Sequence, residues 1–212
     1  VPGALVQAEV PLDRLAALQA APGVRFVRLP AQVGVPQGDA DDPAPRAEVV
    51  GTQVTKTNVD DWHAEGWTGQ GVKIGIIDSF TPAAWAAAQA AGEVPAPSGQ
   101  FCRLFGFSCN VLDTGDDHGV GVAEIISDLA PDAELYLASV YTVADLQAAV
   151  DWFADNGVTV VNRSQTAEDD GPGDGTGPLA AVVDSAINQG MTWFNSAGND
   201  ARDSYMRREV AA

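Results

Sequence analysis

Three residues far apart along the chain carry side chains suited to acyl chemistry, and each ends or opens an apolar segment. Asp78 closes Gly71-Val72-Lys73-Ile74-Gly75-Ile76-Ile77. His118 opens Gly119-Val120-Gly121-Val122-Ala123-Glu124-Ile125-Ile126, and Asn199 follows Ser196-Ala197-Gly198. An imidazole takes and returns a proton near neutral pH better than any other side chain. A carboxylate beside it fixes its tautomer and stabilises the imidazolium once it forms. A carboxamide donates to negative charge developing on oxygen. Each residue also has an ordinary reading. Asp78 caps the turn Ser79-Phe80-Thr81-Pro82, His118 sits on the surface at a helix cap, and Asn199 occupies a left-handed turn after Gly198. The chemical reading requires all three to converge.

The segments that must position them alternate between strand and helix. Val72 to Ile77 is a strand interrupted only by Lys73 and Gly75, and Pro82 to Ala91 is an Ala-rich helix closed by Gly92. Gly119 to Leu129 is a helix stopped before Pro131, and Ala133 to Ala138 is a strand. Thr142 caps a helix to Asn156 with Asp145 as its capping-box partner, and Gly157 ends it. Val158 to Val161 is β-branched and reads as a strand buried on both faces. Pro178 to Gln189 is the last helix and Met191 to Asn195 the last strand. Asn58 is placed as the cap of a short helix through Trp62 and Glu65, stopped by Gly66, and residues 94–117 read as irregular. Such alternation predicts an α/β fold: a doubly wound, mostly parallel sheet flanked by helices. Working groups then gather beyond the carboxyl ends of the strands, where Asp78, Asn162 and Asn199 fall.

Three regions are expected. Residues 1–29 form a small βαβ unit, with alternating runs Leu5 to Val10 and Val24 to Leu29 around a helix containing Leu12, Leu15 and Leu18. Residues 30–56, rich in Pro, Gly, Ala and Asp, form a linker, and 57–212 form the main domain.

The 212 residues, 46% hydrophobic, suffice for one core of real size. A net charge of −18 argues against nucleic acid, whose phosphates demand Lys and Arg, and against an anionic membrane surface. No apolar run is long enough to span a membrane. Cys102 and Cys109 lie too far from enough other ligands to suggest a metal. They read as a local disulfide, which would imply an oxidising compartment, or as two buried thiols. No metal ligands are assigned. The acidic loop Glu168 to Gly175 offers oxygens to a structural calcium, a surface for basic peptides, or simply a solvated turn. Gly69-Gln70-Gly71 precedes a strand instead of following one, so a phosphate-binding loop is set aside. His63 is taken as a surface residue.

In order, Ile76-Ile77-Asp78-Ser79, His118-Gly119-Val120-Gly121-Val122-Ala123 and Ser196-Ala197-Gly198-Asn199 resemble the Asp, His and oxyanion-Asn segments of the subtilisin-like serine proteases. The resemblance runs from about Trp62 to Asp200. It departs at Val120 and Gly121, where the family usually has Thr and a second His. The resemblance implies a serine endopeptidase in which Asp78 orients His118, His118 serves as general base and Asn199 donates to the oxyanion. The nucleophilic Gly-Thr-Ser block would lie beyond Ala212, and this fragment alone would be inactive. It also implies that Asn162, Ser164, Gln165 and Thr166 pair with an extended peptide or protein substrate. Gln165-Thr166 stands where the family commonly has Leu-Gly, which would narrow the first pocket. Residues 1–29 would be the end of a propeptide, with an ordinary accessory module as the alternative. The expected protein is a secreted monomer whose chemistry needs no cofactor. The alternative is a catalytically dead relative that keeps the peptide groove.

Overall fold

The computed structural model describes residues 6–29, 50–165 and 174–196. Its elements run α1 (Leu15–Gln19), α2 (Gln53–Lys56), α3 (Val59–Ala64), β1 (Lys73–Ile77), α4 (Pro82–Ala91), β2 (Gly99–Leu104), β3 (Phe107–Ser108), α5 (His118–Leu129), β4 (Glu134–Val140), α6 (Val143–Asp155), β5 (Val160–Arg163), α7 (Pro178–Asn188) and β6 (Thr192–Asn195). A single 3-10 turn, Leu12–Arg14, leads into α1. The strands form one sheet in the order β3-β2-β4-β1-β5-β6. Every pairing is parallel except β2 with β3. This is the doubly wound, mostly parallel α/β sheet that the alternation predicts.

The sheet is two-faced, as its side-chain period of two requires. Ile74 and Ile76 of β1 join Leu135 and Leu137 of β4 beneath α4 and α5, with Phe80, Trp85, Val120 and Ala123. Ile77 joins Tyr136, Ala138 and Val140 on the opposite face, beneath α6 and α7, with Leu146, Val150, Phe153 and Val182. Gly75 is required by that second packing. A Cβ there would lie 2.7 Å from Phe153 Cζ, so the ring of α6 rests directly on the β1 backbone.

Local signals account for the helix ends. Thr142 and Asp145 make the full capping box on α6. Pro178 and Pro82 occupy first-turn positions of their helices, and Gly92 closes α4 with φ 85°.

Four expectations change. Residues 94–117 are not wholly irregular: β2 and β3 form a hairpin there, and Cys102 and Cys109 are joined by a disulfide across it. Residues 6–10 and 24–29 join no ladder among the described residues, so alternation there does not produce strands. The segment assigned to the linker contains α2, which packs by α5; residues 30–49 lie outside the described residues. Asn58 does not cap α3 through its side chain but takes the left-handed conformation with φ 57°. Among the described residues no helix is long and apolar enough to cross a membrane.

Phe153 is fully buried between β1 and α6. Its replacement by Ala removes the ring and leaves a cavity, so Phe153→Ala should lower the unfolding free energy by about 3–5 kcal/mol in a urea titration. A loss below about 1 kcal/mol would show that this contact does not hold the sheet to α6.

Candidate active site

Asp78 is the first residue past β1, the strand flanked by β4 and β5 in the sheet interior. Its N–H still donates to Ala138 of β4, at 3.0 Å, so the backbone is held in register to the very end. The carboxyl group is fully buried. His118 is the first residue of α5, and its Nδ1 lies 2.9 Å from Asp78 Oδ2 and 3.1 Å from Oδ1. The residues are 40 apart in sequence.

Three features hold the pair. The Ser79 N–H donates to Asp78 Oδ1 at 2.8 Å. The His118 N–H donates to Asp116 Oδ1 at 2.8 Å, which places a carboxylate at the open amino end of α5. The Gly119 N–H donates to the Ser79 carbonyl at 3.0 Å and ties the helix start to the β1 turn. That last contact admits only glycine. A Cβ on Gly119 would lie 2.6 Å from Ser79 O and 2.8 Å from Asp78 Cβ. Gly121 differs, since a Cβ there would meet nothing within 4 Å among the described residues. Of these two glycines, close backbone approach therefore requires only Gly119.

Sequence reasoning missed the braces. Phe80 is buried, its N–H donates to Thr114 Oγ1 at 2.8 Å, and its ring meets Trp85 edge-on at 5.8 Å. The Asp-x-His spacing of Asp116 and His118 carried a usable signal, because Asp commonly accepts from a backbone N–H two residues on. Nothing local pointed to Thr114.

Burial pushes the Asp78 carboxyl group above its ordinary range, opposed by its hydrogen bond to His118, the imidazole charge and the Ser79 N–H. The hydrogen bond to Asp78 pushes His118 above its ordinary value; burial opposes this, and the charges of Asp78, Asp116 and Asp117 reinforce it. Because Nδ1 faces the carboxylate, the neutral ring carries its proton there and leaves Nε2 as the acceptor. The imidazole side chain is 30% exposed, and no side chain bonds Nε2 among the described residues. Such a ring can take a proton from a hydroxyl presented at Nε2.

β5 delivers the next group of residues to the same end of the sheet, with Ile77 in register with Arg163. Asn162 Nδ2 donates to Ser164 Oγ at 3.0 Å. Gln165 is buried, so its side chain is packed away from solvent. Arg163 is buried as well, and its Nη1 donates to Asn195 Oδ1 at the end of β6, at 2.9 Å. Asn199 and Thr166 lie outside the described residues, as does most of the acidic loop, residues 166–173. Its described end is an Asx turn in which Asp174 Oδ1 accepts from Thr176 N–H and Oγ1. Among the described residues no three His, Cys, Asp or Glu side chains group as metal ligands.

His63 is not the free surface residue expected. Its Nε2 lies 3.1 Å from the Leu129 carbonyl and ties α3 to the end of α5. It lines a cleft of about 320 Å³ with Glu93, Ser127 and Asp128, which includes neither Asp78 nor His118.

A parallel sheet whose inner strand hands a buried carboxylate to an imidazole at a helix start defines a subtilisin-like α/β domain. No protein-family model matches the chain. It is 29% identical over 178 residues to a probable subtilase-type serine protease of Deinococcus radiodurans, covering 68% of this chain and 23% of that protein. It is 27% identical over 168 residues to Subtilisin DY of Bacillus licheniformis, covering 72% of this chain and 56% of that one. Among solved structures, MycP1 from the ESX-1 type VII secretion system shares the fold with a TM-score of 0.50 at 18% identity, over 84% of this chain and 52% of that chain. The chain is similar to subtilisin-like serine proteases in sequence and shares their fold, and it spans about half or less of the length of several of these relatives.

Replacing the Asp78 carboxylate by an amide removes the charge that favours imidazolium. In Asp78→Asn the His118 titration, followed by the NMR signal of its Cε1 proton, should therefore move to lower pH than in the natural protein. An unmoved midpoint would separate the two groups electrostatically. In the natural protein this pairing adds stability below the ordinary imidazole pKa and loses it as pH rises through the raised folded value.

Proposed function

We propose that this chain is part of a serine endopeptidase that cleaves peptide bonds by acyl transfer. The carrying observation is the Asp78–His118 contact, with Nδ1 on the carboxylate and Nε2 left for a substrate-side hydroxyl. The nucleophilic Ser lies downstream of Ala212. In its first half-reaction the Ser Oγ attacks the scissile carbonyl carbon and its proton passes to His118 Nε2. His118 then gives that proton to the departing amine, and water, activated by the same nitrogen, releases the acyl group. Asp78 keeps the tautomer and stabilises the imidazolium. Asn199 donates its amide to the oxyanion.

Asn162, Ser164, Gln165 and Thr166 form the edge along which an extended peptide pairs. Support comes from the place of Asn162, Ser164 and Gln165 at the end of β5, one strand from Asp78. The substrate is a peptide or protein, the enzyme is secreted and monomeric, and the reaction needs no cofactor; a calcium bound by the acidic loop would be structural. The Cys102–Cys109 disulfide fits an oxidising compartment.

The test uses the product of the full parent gene and a fluorophosphonate that phosphonylates activated serines. Labelling should fall on a serine outside residues 1–212, and His118→Ala should reduce both labelling and peptide hydrolysis by at least about a thousandfold. Binding of peptide without labelling or hydrolysis would instead identify a catalytically dead groove.

A further inference from the structure

The β2–β3 hairpin is short of internal support. Two residue pairs join its strands, Arg103 with Ser108 and Leu104 with Phe107, and the Cys109 N–H donates to the Cys102 carbonyl at 3.3 Å. The two-residue loop between them puts Phe105 at φ 52° and Gly106 at φ 90°. Glycine adopts the left-handed region freely, whereas phenylalanine does so only under constraint. The disulfide closes the hairpin just outside these pairs, between Cys102 on β2 and Cys109 beyond β3. Cys102 is buried in the core under α4 and α5, but Cys109 is exposed.

The tip of this hairpin is fastened to the start of α6. The Gly106 N–H donates to Asp145 Oδ1 at 2.9 Å, and the Phe105 ring packs on Tyr141 with centroids 4.4 Å apart. Asp145 and Thr142, the capping-box pair, are both buried. Gln7, from the amino-terminal segment, reaches the same spot: its Oε1 is 2.7 Å from Thr142 Oγ1. Its Nε2 lies 3.8 Å from where a Gly106 Cβ would stand. The two sequence positions, Gln7 and Thr142, are 135 residues apart. Thr142 follows the carboxyl end of β4, beside the end of β1 that leads into Asp78. Hairpin tip, helix cap and amino-terminal segment thus form one knot at the end of the sheet that carries the Asp78–His118 pair.

We propose that the Cys102–Cys109 disulfide is a reducible latch, and that its reduction frees the hairpin tip and with it residues 6–10. A dithiol is the required reductant. Its thiolate attacks the exposed Cys109 sulfur, forming a mixed disulfide and expelling the Cys102 thiolate, which takes up a proton. The second thiol of the reductant then displaces Cys109 as a thiolate, which is protonated in turn. The reductant leaves as its own disulfide, and two electrons have reduced the cystine to two cysteines. With closure lost, two strand pairs and one long backbone hydrogen bond must hold a turn that Phe105 disfavours. Gly106 and Phe105 leave Asp145 and Tyr141, and the space beside Gln7 Nε2 opens.

Hydrogen–deuterium exchange on the whole chain, before and after treatment with dithiothreitol, tests this. Amides of residues 104–109 and 6–10 should exchange at least tenfold faster after reduction, while those of β1 and β4 keep their protection. Cys102→Ser/Cys109→Ser should show the reduced pattern and not respond to the reductant. Should that variant fail to fold, the reductant series on the natural chain decides alone. Unchanged exchange at 104–109, a freed tip with 6–10 unchanged, or loss of protection throughout β1 and β4 would each overturn the proposal. The last of these would make the disulfide a staple for the whole domain.

Discussion

A carboxylate taken fully out of water costs several kcal/mol unless donors replace its hydration. Asp78 occupies such a position, and much of the surrounding structure follows from satisfying it. One oxygen takes the Ser79 N–H, and both lie within hydrogen-bonding distance of the His118 ring. For the ring to arrive there, α5 must begin against the turn after β1. The helix gets that close because residue 119 has no side chain to stand between them. The Gly119 N–H, which the helix itself leaves unbonded, then finds the Ser79 carbonyl. The same contact that satisfies a buried charge therefore fixes the tautomer of the imidazole and completes a helix end.

This arrangement also explains why the pair is asymmetric. Asp78 sits on a strand held on both sides and cannot move without disturbing β4 and β5. His118 sits at the edge, partly in solvent, on a helix whose first turn is braced by Asp116. The carboxylate is thus the fixed reference and the imidazole the exposed working group. Burial of the carboxylate still costs the fold, as its raised pKa shows, but the positive charge it stabilises forms on the partly exposed member.

Helices and their ends were readable because their causes are local. Thr142 and Asp145 announce a capping box, and Pro82 with Gly92 bracket α4. The inner strands were readable because burial on both faces leaves continuous apolar runs such as Ile74 to Ile77. The edge was not. In β2, Gly99-Gln100-Phe101-Cys102-Arg103-Leu104 is only partly covered, and no long apolar run marks it. Alternation failed in the opposite sense at residues 6–10 and 24–29, because two faces do not supply a pairing partner. At the site, the pairing of Asp78 with His118 was legible by type and order, whereas Thr114 was not, since its bond to Phe80 spans 34 residues.

Arg163 shows how the two parts of the site are joined. A buried guanidinium is expensive, and it is retained only with strong acceptors around it. Its Nη1 donates to Asn195, and its carbonyl accepts from the Ser196 N–H at 3.0 Å. One residue thus ties the ends of β5 and β6 through both its side chain and its backbone. β5 is also paired to β1 up to this point, with Arg163 opposite Ile77. The end of β6, at Asn195 and Ser196, is therefore anchored through Arg163 to the strand that leads into Asp78. Continuity of backbone pairing, and not contact between the functional side chains themselves, is what sets the spacing between the acid–imidazole pair and the end of β6.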